Sequence, residues 1–226
     1  MKGAVMNPGQ RLDRDSLRAA FDEGTRHFVE CDLESLDLSR MDLAGATFEG
    51  CSLPGTDFTG TDLTETRWLR CRAQRARFTA AKLGEARFET CDLTAADFTA
   101  ARLGEAGFSG CRLSGANFFD AAHLDLAFHQ CLLIGANLRA LIFRKLTLEG
   151  LDLSEADLAG ADFRDAVFVN CRMREASLSD AKFAGADLRG CDLGAVTLSD
   201  AARFRGATIS RDQASEILRA VGLKVR

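Results

Sequence analysis

From Phe28 to Leu198, a large apolar residue, mostly Leu or Phe, stands at almost every fifth position, and the residue two places before it is almost always small and uncharged. Helices and strands repeat with periods of 3.6 and 2, so neither explains a period of five. If each five-residue unit forms one side and one turn, four units close one square coil. Residue n then stacks on residue n + 20. The large apolar residue and the small residue two places before it both face the axis of the coil. The pattern therefore predicts an all-β solenoid.

The cysteines follow the same 20-residue register. All eight lie on it, with Leu151 filling the single gap: Cys31, Cys51, Cys71, Cys91, Cys111, Cys131, Cys171 and Cys191. Stacked coils are about 4.8 Å apart, whereas the sulfurs of a disulfide are about 2.05 Å apart. There is no CxxC pair and no histidine close enough in sequence to suggest a zinc site. We therefore predict buried, reduced thiols, with no metal and no cofactor.

Both ends of the repeat carry helix signals. Residues 15–24 have an N-cap and a terminal glycine, and they form either a helix that plugs the first coil or part of an irregular arm. After Leu198 the register slips by one residue, to the unit at 207–209. Ser210 and Gln213 then have the spacing of a capping box, ahead of an amphipathic helix. The predicted domains are an N-terminal arm or capping helix (1–26), the coil (27–209) and a C-terminal helix and tail (210–226).

The segment from Ala156 to Phe163, Ala-Asp-Leu-Ala-Gly-Ala-Asp-Phe, resembles the A(D/N)LXX motif of the pentapeptide repeat proteins. This resemblance implies their fold, a right-handed quadrilateral parallel β-helix, here followed by a short C-terminal helix. The tail from Gly206 to Val225 is similar to the C-terminal end of the Qnr and MfpA group, which acts on type II topoisomerases. That likeness implies a homodimer through the C-terminal end. The interface candidates, which would also serve a monomeric cap, are Ile209, Ile217, Leu218, Val221, Leu223 and Val225.

Large apolar residues depart from the repeat between Phe118 and Ile142. Candidate partner-binding residues at positions that should face water are Phe119, Leu124, Leu132 and Ile134, and Ile142 belongs to the same class. His123 takes an inward position and Leu126 a small-residue position. Exposed apolar patches mark interfaces. The alternative is a local bulge that turns some of these side chains inward.

Charge is unevenly distributed around the coil, although the net charge is only −4. The side centred on residues 38, 58, 78 and onward carries the candidate binding residues that we call the acidic stripe: Asp37, Asp57, Asp97, Asp120, Asp157, Asp180 and Asp200. The resemblance implies gyrase as the partner, and because opposite potentials steer association, the stripe is predicted to face the positively charged DNA-binding saddle of gyrase. The alternative role of these aspartates is to stabilise turns.

A basic belt crosses three adjacent sides of one coil, and it consists of Arg67, Arg70, Arg72, Arg75 and Arg77. One reading is a solvated surface partly paired with Glu65, Glu85 and Glu89. The other is a contact with an acidic partner or with nucleic acid.

The sequence offers no Gly-rich phosphate loop and no nucleophile beside a base, so we predict no enzyme. It has no membrane-length apolar run and no signal-peptide pattern, so the expected location is the cytoplasm. The resemblance implies a DNA-mimic-like protein that binds DNA gyrase or topoisomerase IV without binding nucleic acid directly. It would protect the enzyme from fluoroquinolones or a peptide antibiotic. Because the net negative charge per unit length of the coil is far below that of duplex DNA, only a local part of the surface would imitate DNA. The alternative is a general interaction scaffold with an unrelated protein partner.

Overall fold

In the computed structural model, residues 9–196, 201–220 and 222–225 are described. The chain divides into two compact units, Met1–Cys131 and Leu132–Arg226. Each unit is a parallel β-solenoid, which confirms the predicted quadrilateral β-helix. The first unit contains helix α1 (Arg14–Asp22) and strands β1 (His27–Val29), β2 (Thr47–Glu49), β3 (Arg67–Leu69), β4 (Arg87–Glu89), β5 (Gly107–Ser109) and β6 (Ala127–His129). The second contains β7 (Thr147–Glu149), β8 (Val167–Val169), β9 (Cys171–Arg172), β10 (Cys191–Asp192), a 3₁₀ helix (Ala202–Phe204) and α2 (Arg211–Ala220).

Strands of the first unit pair in parallel, and each residue lies opposite its equivalent in the next coil. Phe28 lies opposite Phe48, and Phe48 lies opposite Trp68. On the other sides of the coil, single parallel bridges keep the same offset, as between Asp57 and Arg77. The 20-residue register of the sequence is therefore the register of the backbone hydrogen bonds.

Aromatic rings fill the interior of the first unit. Phe48 stacks on Trp68 with ring centroids 4.3 Å apart, and Phe78 stacks on Phe98 at 4.8 Å. Rings on neighbouring sides meet edge to face, as Trp68 and Phe78 do at 5.9 Å. Aromatic pairs prefer these two geometries. Small residues at the second inward position leave room for the rings, as Ala96 does, with no exposed surface.

The cysteines are buried free thiols, as predicted. The Sγ of Cys51 donates to the carbonyl oxygen of Phe28 in the preceding coil at 3.3 Å, and the same contact recurs along the register. Burial raises the pKa of the Cys171 and Cys191 thiols. The thiols therefore behave as small packing groups that also satisfy a backbone carbonyl.

Helix α1 packs against the first coil. Asp13 caps it by accepting from the backbone N–H of Ser16 at 2.8 Å, and Leu17 on its inner face is fully buried. Arg14 donates to the carbonyl oxygens of Asp37 and Ser39 at 2.7 and 2.8 Å. The helix predicted over 15–24 is thus found at Arg14–Asp22, and Gly24, at φ +96°, comes two residues after its end.

The second unit ends with the predicted register slip. Asp187 bridges to Thr208, whereas the register of the preceding coils would place it opposite Ala207. Ser210 and Gln213 form the predicted capping box, with bonds of 2.6 and 3.1 Å between side chain and backbone. Gln213 also donates to the carbonyl oxygens of Leu188 and Cys191 at 2.8 and 2.6 Å. Helix α2 therefore covers carbonyl groups of the last coil.

Candidate protein-binding surface

Most members of the acidic stripe in the first unit already have partners. Asp37 pairs with Arg14 at 3.1 Å, and Asp57 pairs with Arg77. Asp97 accepts from the backbone N–H of Thr99 at 3.0 Å and from the hydroxyl of Thr79 at 3.0 Å. These contacts agree with the alternative reading, in which such aspartates stabilise turns and link coils. Asp120 is exposed and is the one member of the stripe in this unit whose carboxylate has no hydrogen bond or ion pair among the described residues.

In the second unit, too, only part of the acidic stripe has charged partners. Asp157 pairs with Arg139 at 2.9 Å and accepts from the backbone N–H of Ala159. Asp180 is exposed. Asp200 lies outside the described residues. The stripe thus contributes fewer uncompensated charges than the sequence count implies.

The first unit carries a second set of acids that the stripe does not include. Glu65, Glu85, Glu105 and Asp125 repeat once per coil, and all four are exposed. The backbone N–H of Glu65, Glu85 and Glu105 donates to the carbonyl oxygens of Gly84, Gly104 and Leu124 in the next coil, at 2.8, 2.8 and 2.7 Å. Among the described residues, none of the four carboxylates forms an ion pair or hydrogen bond. We call this set the acidic ladder.

The acidic ladder lies at one edge of the side whose inward residues are Leu43, Leu63, Leu83 and Leu103, which we call the leucine side. Parallel neighbours with like charge repel each other, and no base intervenes in the register between Glu65 and Asp125. Sequence reasoning could have found the ladder from acids that recur at the same position of consecutive coils without an intervening base. The ladder is not evident when the charges of a whole side of the coil are added together.

The predicted exposed apolar residues largely face water. Phe119 is 52% and Leu124 71% exposed in the first unit, and Leu132 and Ile142 are exposed in the second, while Ile134 is half-buried. Leu126 is buried at its small-residue position, and His123 is half-buried. The structure thus exposes most of these side chains individually, and the bulge turns only Leu126 fully inward.

The basic belt pairs differently from the prediction. Arg70 contacts Glu49 and Arg77 contacts Asp57, each in the preceding coil. The expected partners Glu65, Glu85 and Glu89 make no such pairs among the described residues. Both arginine side chains reach back one coil to an acid at or next to the register position, and not sideways to the next corner.

Comparisons with known proteins agree with this architecture. Two family descriptions match the chain: "Pentapeptide repeat region" at residues 25–90 and 81–158, and "Pentapeptide repeats (8 copies)" at residues 156–194. The chain belongs to the pentapeptide repeat family. A search of curated proteins finds no match.

Solved structures of other pentapeptide repeat proteins share the fold. Full-length QnrB1, described as a plasmid-mediated fluoroquinolone resistance protein, matches with a TM-score of 0.75 and 23% identity over 85% of this chain and 97% of QnrB1. A trypsin-treated variant of QnrB1 matches with a TM-score of 0.57 and 26% identity over 88% of this chain and 99% of that one.

The C-terminal end of this pentapeptide repeat protein holds the predicted dimer residues. Leu218 and Leu223 are exposed, while Ile209, Ile217 and Val225 are half-buried. Val221 lies outside the described residues. A cavity of about 450 Å³ lies beside them, and its lining includes Arg174, Cys191, Val196 and Ile217. Helix α2 thus leaves Leu218 uncovered, and Leu223, after the helix, is uncovered as well.

The described residues contain neither a metal-binding cluster nor a membrane-spanning helix. No group of three or more His, Cys, Asp or Glu among them is arranged to hold a metal ion. No helix within them is long and apolar enough to cross a membrane.

Proposed function

We propose that this pentapeptide repeat protein is a non-enzymatic ligand of type II topoisomerases, DNA gyrase or topoisomerase IV. It protects them from poisons such as fluoroquinolones or a peptide antibiotic. The observation that carries the proposal is the likeness to QnrB1, a fluoroquinolone resistance protein, over 97% of that chain.

The contact surface in this proposal is electrostatic and local. Duplex DNA carries one negative charge per about 1.7 Å of axis, whereas the acidic ladder carries one per coil, about 4.8 Å. The chain therefore imitates a short run of phosphates at most. Its uncompensated carboxylates Glu65, Glu85, Glu105 and Asp125 would face a basic protein groove and steer association.

The test is supercoiling by purified gyrase with ciprofloxacin, with increasing amounts of this protein. We expect rescue of supercoiling at low concentration and inhibition only at high concentration. The charge-reversed variant Glu85→Lys with Glu105→Lys should rescue poorly. The control, Glu30→Lys with Glu34→Lys, makes the same charge change at two exposed acids on other sides and should rescue normally. If the folded wild-type protein changed neither supercoiling nor cleavage, the proposal would be wrong.

The proposal includes a homodimer through the C-terminal end. Leu218 and Leu223 supply exposed apolar area beside α2. Leu218→Glu should convert the dimer to a monomer in light scattering coupled to gel filtration, because burying an unpaired charge is costly. A monomeric wild-type protein at micromolar concentration would contradict the dimer. These residues would then serve only to cap the end of the coil.

A second candidate function is an interaction scaffold whose protein partner is unrelated to topoisomerases. The observation that favours it is the exposure of Phe119 and Leu124, because apolar side chains have no counterpart in a phosphate backbone. Gyrase binding that is insensitive to both Phe119→Ser and Leu124→Ser would separate this surface from the topoisomerase contact.

A further inference from the structure

The leucine side of the first unit has an open floor next to the acidic ladder. One position per coil runs along it, occupied by Thr64, Gly84, Gly104 and Leu124. A Cβ added at Gly104 would meet nothing within 4 Å, and at Gly84 the nearest atom would be 3.8 Å away. Neither glycine lies in the left-handed region of φ, unlike Gly45 and Gly60. Neither backbone conformation nor crowding therefore requires glycine here, and the two glycines leave the backbone open to the close approach of another molecule.

The floor has a boundary on each side and at one end. The acidic ladder forms one border. The other holds Lys82, which is paired with Asp62 at 2.9 Å, and the exposed Arg102. Leu124, 71% exposed, stands at the end of the floor. The floor thus presents a smooth strip, an acidic flank and one apolar contact.

The spacing of the acids selects the shape of the occupant. The ladder repeats about every 4.8 Å, so its four carboxylates span about 14 Å. Side chains three or four residues apart on a helix are about 5–6 Å apart, whereas same-face side chains of a strand are about 6.6 Å apart. A helix covers about 14 Å with roughly three turns. Basic side chains along one flank of such a helix stay nearly in step with the ladder.

We infer that this floor docks an α-helix of a partner protein. The helix is about three turns long. Its small side chains lie on Gly84 and Gly104, Lys or Arg residues along one flank meet the acidic ladder, and an apolar side chain contacts Leu124. The inference shares the ladder with the proposed function, but it goes beyond it because it holds for any partner protein that presents such a helix. Its test contains no topoisomerase, so the two can fail separately.

The probe is a stapled helical peptide of about 16 residues, with lysines at i, i+4, i+7 and i+11 and with alanines and one leucine on the adjacent face. A second stapled peptide has the same composition with its lysines scattered around the helix. Fluorescence anisotropy against the full-length protein should show about tenfold tighter binding of the first peptide at low salt, a difference that shrinks at high salt. Equal binding of the two peptides, or no binding of either, would overturn the inference.

A steric variant separates the floor from charge alone. Gly104→Leu adds a side chain in open space at an ordinary φ, so the fold is expected to tolerate it. It should reduce binding of the first peptide by about tenfold, since the helix can no longer approach the backbone. The matched control is Ser114→Leu, at the equivalent position of another side, which should bind as the wild type does. Equal effects of the two variants would contradict docking on this floor.

Two further variants locate the occupant. Leu124→Ser should weaken binding by about three- to tenfold, whereas Phe119→Ser, at an exposed apolar residue on the adjacent side, should leave it unchanged.

The charge variants test the acidic flank. Glu85→Lys with Glu105→Lys should abolish the preference for the first peptide, and Glu30→Lys with Glu34→Lys should keep it. If Glu30→Lys with Glu34→Lys also lost binding, the attraction would be non-specific and docking on the floor would be contradicted. Self-association of the protein that the first peptide cannot displace would identify a second copy of the chain as the occupant and overturn the inference.

Discussion

The first and second units fill the same coil with different side chains. In the first, stacked rings such as Phe78, Phe98 and Phe118 occupy the interior, and the second inward position is small. In the second unit, Leu141 and Leu151 are buried at that second position, and fewer rings are present. The first unit is regular because one large and one small residue alternate over several coils. The difference shows that the coil tolerates two ways of reaching the packing density of a protein interior.

The units also differ in how they use the aspartate before each inward residue. In the first unit, Asp57 and Asp97 accept from the hydroxyl of the threonine two residues later, at 2.5 Å each. In the second, Asp162 and Asp187 accept from an arginine two residues later. These arginines hold the pKa of both carboxyls at about 2. The residue two places after the aspartate thus donates from a hydroxyl in these coils of the first unit and from a guanidinium in these coils of the second.

The largest effect is expected from breaking the ring stack of the first unit. Phe98→Ala removes a fully buried ring that stacks on Phe78 and Phe118, both at 4.8 Å. The free energy of unfolding should fall by about 3–5 kcal/mol. Denaturant unfolding measures it, and Phe119→Ala, at an exposed ring, should change it by less than about 0.5 kcal/mol. Similar losses for the two variants would mean that the ring stack does not hold the first unit together.

Overpacking the small position tests the comparison from the opposite direction. Ala96→Leu places in the first unit the residue that the second unit accepts at Leu141 and Leu151. Because the rings already fill the space, the substitution should lower the free energy of unfolding by about 1–3 kcal/mol. Ala122→Leu, at an exposed position, is the control. If thermal or denaturant unfolding showed no loss in Ala96→Leu, the two cores would be interchangeable.

The ion pair of the second unit gives a pH-dependent effect. The side chain of Asp162 is 13% exposed, and its pKa is about 2 because Arg164 hydrogen-bonds to it. A depressed folded-state pKa contributes stability above the unfolded value, near pH 4, and this contribution disappears as the pH falls toward 2. Because solvent screens the partly exposed Arg164, Asp162→Asn should lower the free energy of unfolding by only about 1 kcal/mol at pH 7, and by almost nothing at pH 2.

The control for Asp162 is Asp42→Asn in the first unit. Among the described residues, Asp42 accepts only from the backbone N–H of Ala44, at 3.1 Å, so its substitution should lower the free energy of unfolding less at pH 7. Unfolding by denaturant at several pH values measures both variants. A loss in Asp162→Asn that stays constant from pH 7 to pH 2 would rule out the ion pair as its cause.

The coil, the buried thiols and the C-terminal capping box could be predicted from sequence because each follows from spacing alone. A five-residue period fixes which residues face inward, and the Ser210–Gln213 spacing fixes the cap. Charge pairing could not be predicted, because it depends on which coil a flexible side chain reaches. Arg70 and Arg77 turn to acids in the preceding coil, so Glu65 and Glu85 keep their charge uncompensated. The open space above Gly84 and Gly104 could not be predicted, since glycine in a repeat usually indicates a turn.

In the proposed function, the uncompensated acids, and not the paired ones, make the partner contact. The most direct measurement is binding of purified gyrase to the immobilised protein at low and high salt. We expect the ladder variant Glu85→Lys with Glu105→Lys to bind at least about tenfold more weakly at low salt, with a smaller difference at high salt. The stripe variant Asp97→Lys with Asp157→Lys should lose less. Gyrase binding that is unchanged in the ladder variant, or absent in the folded wild-type protein, would contradict the account.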